Sequence, residues 1–241
     1  MMAAMRWLLF VPLVLASCHD DDYLAFTGDD RKVLCSVAID DLSADAPWDL
    51  IHEQIRIAAQ HDWVVMMHAH IPDVTVSRTT IETVLELADR AGVDFVTFRD
   101  LVTDQPTRAG LALAFDDNAI DAWFSIRDQL TAHNARVTFF VSRYYSRTDE
   151  ERAELHQLAA DGHDIEPHSV DHLRATDYVQ AHGLDAYLAD QVLPSFTALT
   201  DAGYPAPTTY AYPWGLHDDA IDARVLQYVP RVRTTPGSCP Y

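Results

Sequence analysis

Basic charge is scarce in this chain. Its 241 residues hold 17 Lys or Arg against 37 Asp or Glu, for a formal net charge of −20, and Lys32 is the single lysine. A surface this acidic repels polyanions, which argues against nucleic acid and anionic lipid headgroups as electrostatic partners. It suits a neutral or cationic substrate, or simply solubility. Long apolar runs are missing as well: the run 7–16 is too short to cross a bilayer as a helix. No internal repeat is visible. What remains is an ordinary globular composition, 49% hydrophobic and 22% charged, in a chain long enough for one sizeable core and one domain.

Cysteine is also rare, with three in all. The first follows Arg6 and the apolar run, in Leu15-Ala16-Ser17-Cys18. This segment resembles a bacterial lipobox. It implies a signal peptide over 1–17, cleavage before Cys18, a lipid on its thiol, and an exported protein anchored to a membrane of the cell envelope. A plain cleaved signal is the alternative. Residues 18–31 are acidic and polar and read as a tether. Cys35 and Cys239 read as two separate small buried residues; export would also permit a disulfide, so that pairing stays open.

From Lys32 onward apolar strands alternate with helical patterns. Candidate strands are 33–39, 63–68, 94–98, 111–115, 137–141, 163–166, 208–212 and 230–234. Several are nearly continuous apolar runs, as buried parallel strands are. Thr79 with Glu82, and Thr148 with Glu151, have the spacing of capping boxes, and Gly92 and Gly162 stand as stops. A third helix is expected over 118–132. The alternation predicts an α/β fold with a parallel sheet or barrel. The segment 104–110 is the best linker candidate.

In such folds chemistry collects at the C-terminal ends of the strands. Asp116 and Asp117 follow strand 111–115, His168 to His172 follow 163–166, and Pro213-Trp214 follows 208–212. His68 and His70 end strand 63–68, and by twofold alternation both face the same side. One carboxylate with two imidazoles makes an O/N/N metal site, and a second carboxylate beside it can act as a base.

The wording around these residues carries more than the spacing. Leu-Ala-Leu-Ala-Phe-Asp116-Asp117, then Ala-Arg-Val-Thr-Phe-Phe-Val141, then Gly-His163-Asp-Ile-Glu-Pro-His168-Ser-Val-Asp-His172, then Ala211-Tyr-Pro-Trp-Gly215 resemble the polysaccharide deacetylase family. The resemblance covers about 111–234. It implies a distorted (β/α)7-8 barrel and hydrolytic removal of acetyl groups from a polysaccharide. It implies Asp117, His168 and His172 as ligands of a divalent metal, Zn2+ or another such as Co2+. Asp116 matches the general base, and Pro213-Trp214 the turn whose backbone N–H helps hold the oxyanion. His163 reads as structural.

Two departures stand out. The family often carries an arginine where this chain has Ala211, so Asp116 must be oriented by something else. The family's terminal strand with its catalytic histidine has no room before Tyr241. Similar wording lies at the front instead, in Trp63-Val-Val-Met-Met-His68-Ala-His70, the helix after it, and 95–100. The expectation is therefore a circular permutant. Residues 32–100 would stand for the family's C-terminal part, 101–110 for a joining linker, and 111–241 for its N-terminal part. The catalytic acid is His68, with His70 in reserve. Asp40 or Asp41 would orient the imidazole, or cap a strand end. The permuted order also brings Cys35 and Cys239 to neighbouring segments. An acetylated polysaccharide or oligosaccharide is the expected partner. Hydrolysis of a small-molecule C–N bond, favoured by a closed pocket, and a catalytically impaired carbohydrate-binding lipoprotein are the alternatives.

Overall fold

The computed structural model describes residues 24–103 and 108–239. The signal segment, Cys18 and most of the expected linker lie outside these residues. Ten strands are present among the described residues: β1 (Ala25–Phe26), β2 (Val33–Cys35), β3 (Val37–Ala38), β4 (Val64–Ala69), β5 (Asp94–Phe95), β6 (Gly110–Asp117), β7 (Thr138–Val141), β8 (Asp164–Pro167), β9 (Thr209–Ala211) and β10 (Arg231–Thr234). The helices are α1 (Trp48–His61), α2 (Arg78–Ala91), α3 (Asp100–Thr103), α4 (Ile120–Phe124), α5 (Arg127–Ala132), α6 (Asp149–Ala160), α7 (Ala175–His182), α8 (Leu184–Tyr187), α9 (Leu193–Asp201) and α10 (Asp219–Val225).

A seven-stranded sheet runs β1-β4-β6-β7-β8, with β3 also on β4 and β5 also on β6; a three-stranded sheet runs β2-β10-β9. All pairings are parallel except β1 on β4. The fold is thus the expected α/β class with a mostly parallel sheet. Closure into a barrel is interrupted, because no ladder joins β8 to β9. There the Glu166 carboxylate accepts the Thr208 N–H at 3.0 Å and Arg99 pairs with both Asp164 and Glu166. On the other side β2 and β3 are almost continuous, so one stretch of chain belongs to both sheets.

The strands have two faces with different work. On β4 and β6, Val65, Met67, Leu111, Leu113 and Phe115 pack outward against the helices. Val64, Met66, Ala112 and Ala114 point inward, with Phe140 and Ala211 from facing strands. This is the period-2 alternation of a strand covered on both faces. The small inward residues of β6 leave room for large side chains from opposite strands.

Several boundaries differ from expectation for local reasons. Leu24–Phe26, inside the expected tether, is buried and adds β1 to β4. The strand expected over 94–98 stops at Phe95, because the Asp100 carboxylate accepts the Thr97 N–H and turns the chain. The cap of α2 is Ser77, whose Oγ accepts the Thr80 N–H; Thr79 does not cap it. The capping box of Thr148 and Glu151 on α6 forms as expected. The helix expected over 118–132 breaks at Ser125, whose carbonyl and hydroxyl are held by Arg78.

Cys35 and Cys239 are not separate: they form a disulfide with Cα atoms 6.0 Å apart and a sequence separation of 204. The bond ties β2 to the segment after β10. Replacing Cys35 with serine should lower unfolding stability by about 2–5 kcal/mol. Denaturation with and without reductant checks this, since reductant should destabilise the wild type and leave the variant unchanged.

Candidate active site

The predicted site residues that fall within the described part of the chain, Asp41 excepted, lie on one rim at the C-terminal ends of the parallel strands. Asp116 continues the inward series of β6 after Ala112 and Ala114. Asp117 should face outward by alternation. Its φ of 91° breaks the strand, and its carboxylate meets His168 and His172. The energetic cost of such a backbone in a non-glycine residue is of the kind found where function fixes geometry.

His168 ends β8 and donates from Nδ1 to the Ala211 carbonyl at 2.9 Å. That fixes its tautomer and leaves Nε2 free, 3.7 Å from Asp117 Oδ1. His172 Nε2 stands 2.9 Å from the same oxygen. One ligand atom from each of Asp117, His168 and His172 lies within 4.8 Å of the other two. The loop between the histidines is strained, with φ of 67° at Ser169 and 59° at His172. It is held by the Ser169 hydroxyl, which accepts the His172 N–H, and by buried Gln191, which binds both the backbone and the carboxylate of Asp171. Burial lowers the His168 pKa to about 4, so the ring is neutral. Burial works against ionised Asp117, but the His172 bond and the nearby imidazoles outweigh it and lower its pKa. An ionised carboxylate, a neutral His168 and a second imidazole make the kind of donor set that a zinc-like ion takes.

Asp116 is buried and its Oδ2 pairs with Arg233, a side chain only 1% exposed. Its Oδ1 has no hydrogen-bond partner among the described residues. Burial alone would raise its pKa, yet the Arg233 charge, aided by the imidazoles, holds it below the ordinary carboxylate range. Arg233 sits on β10 directly beside Ala211 in the parallel register and lies over the Phe140 ring. The guanidinium missing at Ala211 thus arrives from the neighbouring strand. Sequence reasoning passed over Arg233. The signal was present in Arg231-Val232-Arg233, where an outward Val232 puts both arginines on the inward face.

Two histidines from β4 approach the other side of Asp116. One ring nitrogen of each of His68 and His70 and one Asp116 oxygen lie within 4.8 Å of one another. The two rings differ in environment. His68 is buried and its Nδ1 meets the Ser36 hydroxyl at 2.9 Å. Burial, then the Arg233 charge, lowers its pKa to about 3. His70 Nδ1 meets Asp40 Oδ2 at 2.5 Å. Burial opposes its charge, but the Asp40 bond and the Asp116 charge raise its pKa to about 9. Asp41 is elsewhere: its carboxylate accepts from the backbone and hydroxyl of Ser77 and the hydroxyl of Thr80. It fixes the start of α2 and orients no imidazole.

Pro213 is buried and Trp214 is 59% exposed beside the His172 ring. Trp214 takes φ of 63°, and a side chain at Gly215 would collide with Thr235, so the turn is fixed in shape. An open groove of about 440 Å³ runs from His172 and Trp214 along α7, past Leu173, Arg174 and Tyr178. His163 accepts the Val137 N–H through Nδ1 at 3.1 Å and lies outside the site, as expected.

A family model described as polysaccharide deacetylase matches residues 103–230. No curated protein matches. The fold is similar to that of IcaB from Ammonifex degensii, at 18% identity and TM-score 0.57, covering 74% of this chain and 94% of that one. It is similar to the Streptococcus pyogenes deacetylase PplD, solved with acetate, at 16% identity and TM-score 0.53, covering 72% and 94%. A polysaccharide deacetylase from Bacillus cereus gives 16% identity and TM-score 0.58, covering 71% of this chain and 57% of that one.

The donor set makes a metal-binding prediction independent of any reaction. Titrating chelator-stripped protein with Zn2+ or Co2+ should show one tight site. Asp117→Asn and His172→Ala should each weaken it by at least about tenfold, the loss expected even of a supporting group in such a site.

Proposed function

We propose, from the premise that the chain belongs to the polysaccharide deacetylase family, that it is a metal-dependent hydrolase. It removes acetyl groups, N-acetyl or O-acetyl, from a polysaccharide. The observation that carries this reading is one rim that holds an Asp117-His168-His172 triad, an Asp116 anchored by Arg233, and a His70 charged by Asp40.

Zinc, when bound, supplies Lewis-acid polarisation of an acyl oxygen and lowers the pKa of water toward about 7. The chain's own residues do the rest. Asp116 Oδ1 is the free oxygen and takes a proton from the attacking water. Arg233 holds Oδ2, so the carboxylate keeps one orientation while it does so. A low pKa makes Asp116 a weak base, which is acceptable only because the water is already acidified. His70 gives its proton to the departing amine. The charged state it needs for this is maintained by Asp40. His68, the first choice of the sequence reading, is the poorer acid because it is neutral at any pH above about 3. The Trp214 backbone N–H would share charge on the acyl oxygen.

The open groove supports a polymer over a small closed-pocket substrate, and its exposed Trp214 offers a face on which a sugar ring can stack. Arg233 removes the reason for supposing an impaired site. Permutation is supported by β4 lying parallel to and directly beside β6, and by a family match that begins only at residue 103. Export and a lipid on Cys18 rest on the sequence.

Acetate release from acetylated glycans should occur with metal and stop with chelator. Asp116→Asn should keep the metal and lose at least about 100-fold in kcat; wild-type turnover in that variant would remove Asp116 from the reaction. Asp40→Asn removes the carboxylate that raises His70. The alkaline limb of kcat should then move down from near pH 9 toward the ordinary histidine value of about 6.5. An unmoved limb would assign the acid to another group.

A further inference from the structure

His68 is the one titratable group at the rim for which the reaction above has no use. It is buried, it lies close to both His70 and Asp116, and it is hydrogen-bonded to Ser36, the residue between β2 and β3. That combination asks for a role.

The hydrogen bonds around Ser36 decide which way its proton points. Ser36 N–H already donates to the Thr234 carbonyl at 3.1 Å. The Ser36 hydroxyl is 3.5 Å from that same carbonyl but 2.9 Å from His68 Nδ1. An O–H donor at 3.5 Å is outside the usual range for a hydrogen bond between oxygens. The hydroxyl proton therefore goes to Nδ1. A neutral imidazole that accepts at Nδ1 carries its own proton on Nε2. That nitrogen is the one left to face the cleft.

Across the cleft lies Asp116. Its Oδ2 is taken by Arg233, and its Oδ1 is buried without a hydrogen-bond partner among the described residues. The His68, His70 and Asp116 atoms lie within 4.8 Å of one another, which is the reach of a direct bond after a small rotation or of one bridging water. A carboxylate anchored at a single oxygen can still rock about that anchor.

We propose that Ser36 and His68 form a tautomer-locked donor, with the His68 Nε2–H directed at the free oxygen of Asp116. His68 is then a positioning residue for the base and not the acid. Arg233 and His68 hold the carboxylate from two sides, and the proton on Nε2 stays where it is throughout the reaction. This rests on the reading of Asp116 as the base.

The first test needs no activity. Nitrogen-15 NMR of histidine-labelled wild type distinguishes the two neutral tautomers. His68 should be the Nε2–H form, and Ser36→Ala should give a mixture of both forms. An Nδ1–H tautomer in the wild type overturns the proposal and leaves the deacetylase reading intact. So does a second equivalent of Zn2+ that removes the Nε2 proton, because His68 would then be a ligand.

The second test is kinetic. Ser36→Ala should lower kcat about tenfold with KM within about twofold, as expected for loss of one neutral hydrogen bond acting through the base. His68→Leu should lower kcat further, and His68→Gln, which keeps an N–H donor, should restore part of it. Each variant should still bind one equivalent of metal. Wild-type kcat in folded, metal-loaded His68→Leu overturns the proposal. If the wild type itself released no acetate, the functional reading would fail, while the tautomer result would still stand or fall alone.

Discussion

The buried pairing of Arg233 with Asp116 is the constraint around which the rest is arranged. Both groups are almost wholly removed from water. Each alone would cost several kcal/mol to bury, so each requires the other. Their meeting point fixes what the strands around it must be. β6 offers only Ala112 and Ala114 below Asp116, because a guanidinium and the Phe140 ring beneath it must fit inside. β10 must turn Arg233 inward, which sends Val232 out to the helical layer. β9 can then carry a small Ala211, whose carbonyl is free to orient His168. One ion pair thus couples Asp116, the orientation of His168 and the packing of three strands.

Around that pair the rim sorts its charges. Positive charge sits behind Asp116, and carboxylates sit behind His70 and between the metal-facing histidines. The two imidazoles of β4 are one alternation step apart yet end in opposite states. Asp40 reaches His70, while His68, one step deeper, meets only a hydroxyl and feels the Arg233 charge. Two residues of difference in depth are enough to shift the two imidazole pKa values in opposite directions. The general rule applies that paired titratable groups with diverging environments take different parts in the same reaction.

Much of this could be read from the chain. All eight strands expected from apolar runs exist, because buried parallel strands leave a strong local signal. The Asp117-His168-His172 cluster was legible because Asp117 ends β6, His168 directly follows β8, and His172 lies in the loop after it. The misreadings share a cause. Thr79 has capping-box spacing, yet Asp41, distant in sequence, fixes Ser77 as the cap. Leu24–Phe26 sits in an acidic stretch, yet pairs with β4. The disulfide and Arg233 depend on which strands become neighbours, and β10 beside β2 is a long-range fact. The choice between His68 and His70 turns on the same point, since Ser36 lies between β2 and β3 and Asp40 just after β3. Local patterns declared the elements; partners across the sheet decided the roles.

The seam between β2 and β10 is the clearest case of such a long-range neighbourhood. β2 and β10 are parallel neighbours, paired from Val33 with Val232 to Cys35 with Thr234, although almost the whole sequence separates them. On the permuted reading this seam is where the ancestral connection would have run. Cutting there removes no ladder and leaves every rim residue in place, because the rim is built from strand ends and not from the order in which they are joined. The Cys35–Cys239 bond supplies a link at that seam, and it raises the free energy of the unfolded chain by holding nearly its full length in a loop. The same strand pair carries Arg233 and, one residue beyond Cys35, Ser36. A seam that opened would therefore release the anchor of Asp116 and the lock on His68 together. Stability at the seam and order at the site are a single property of this fold.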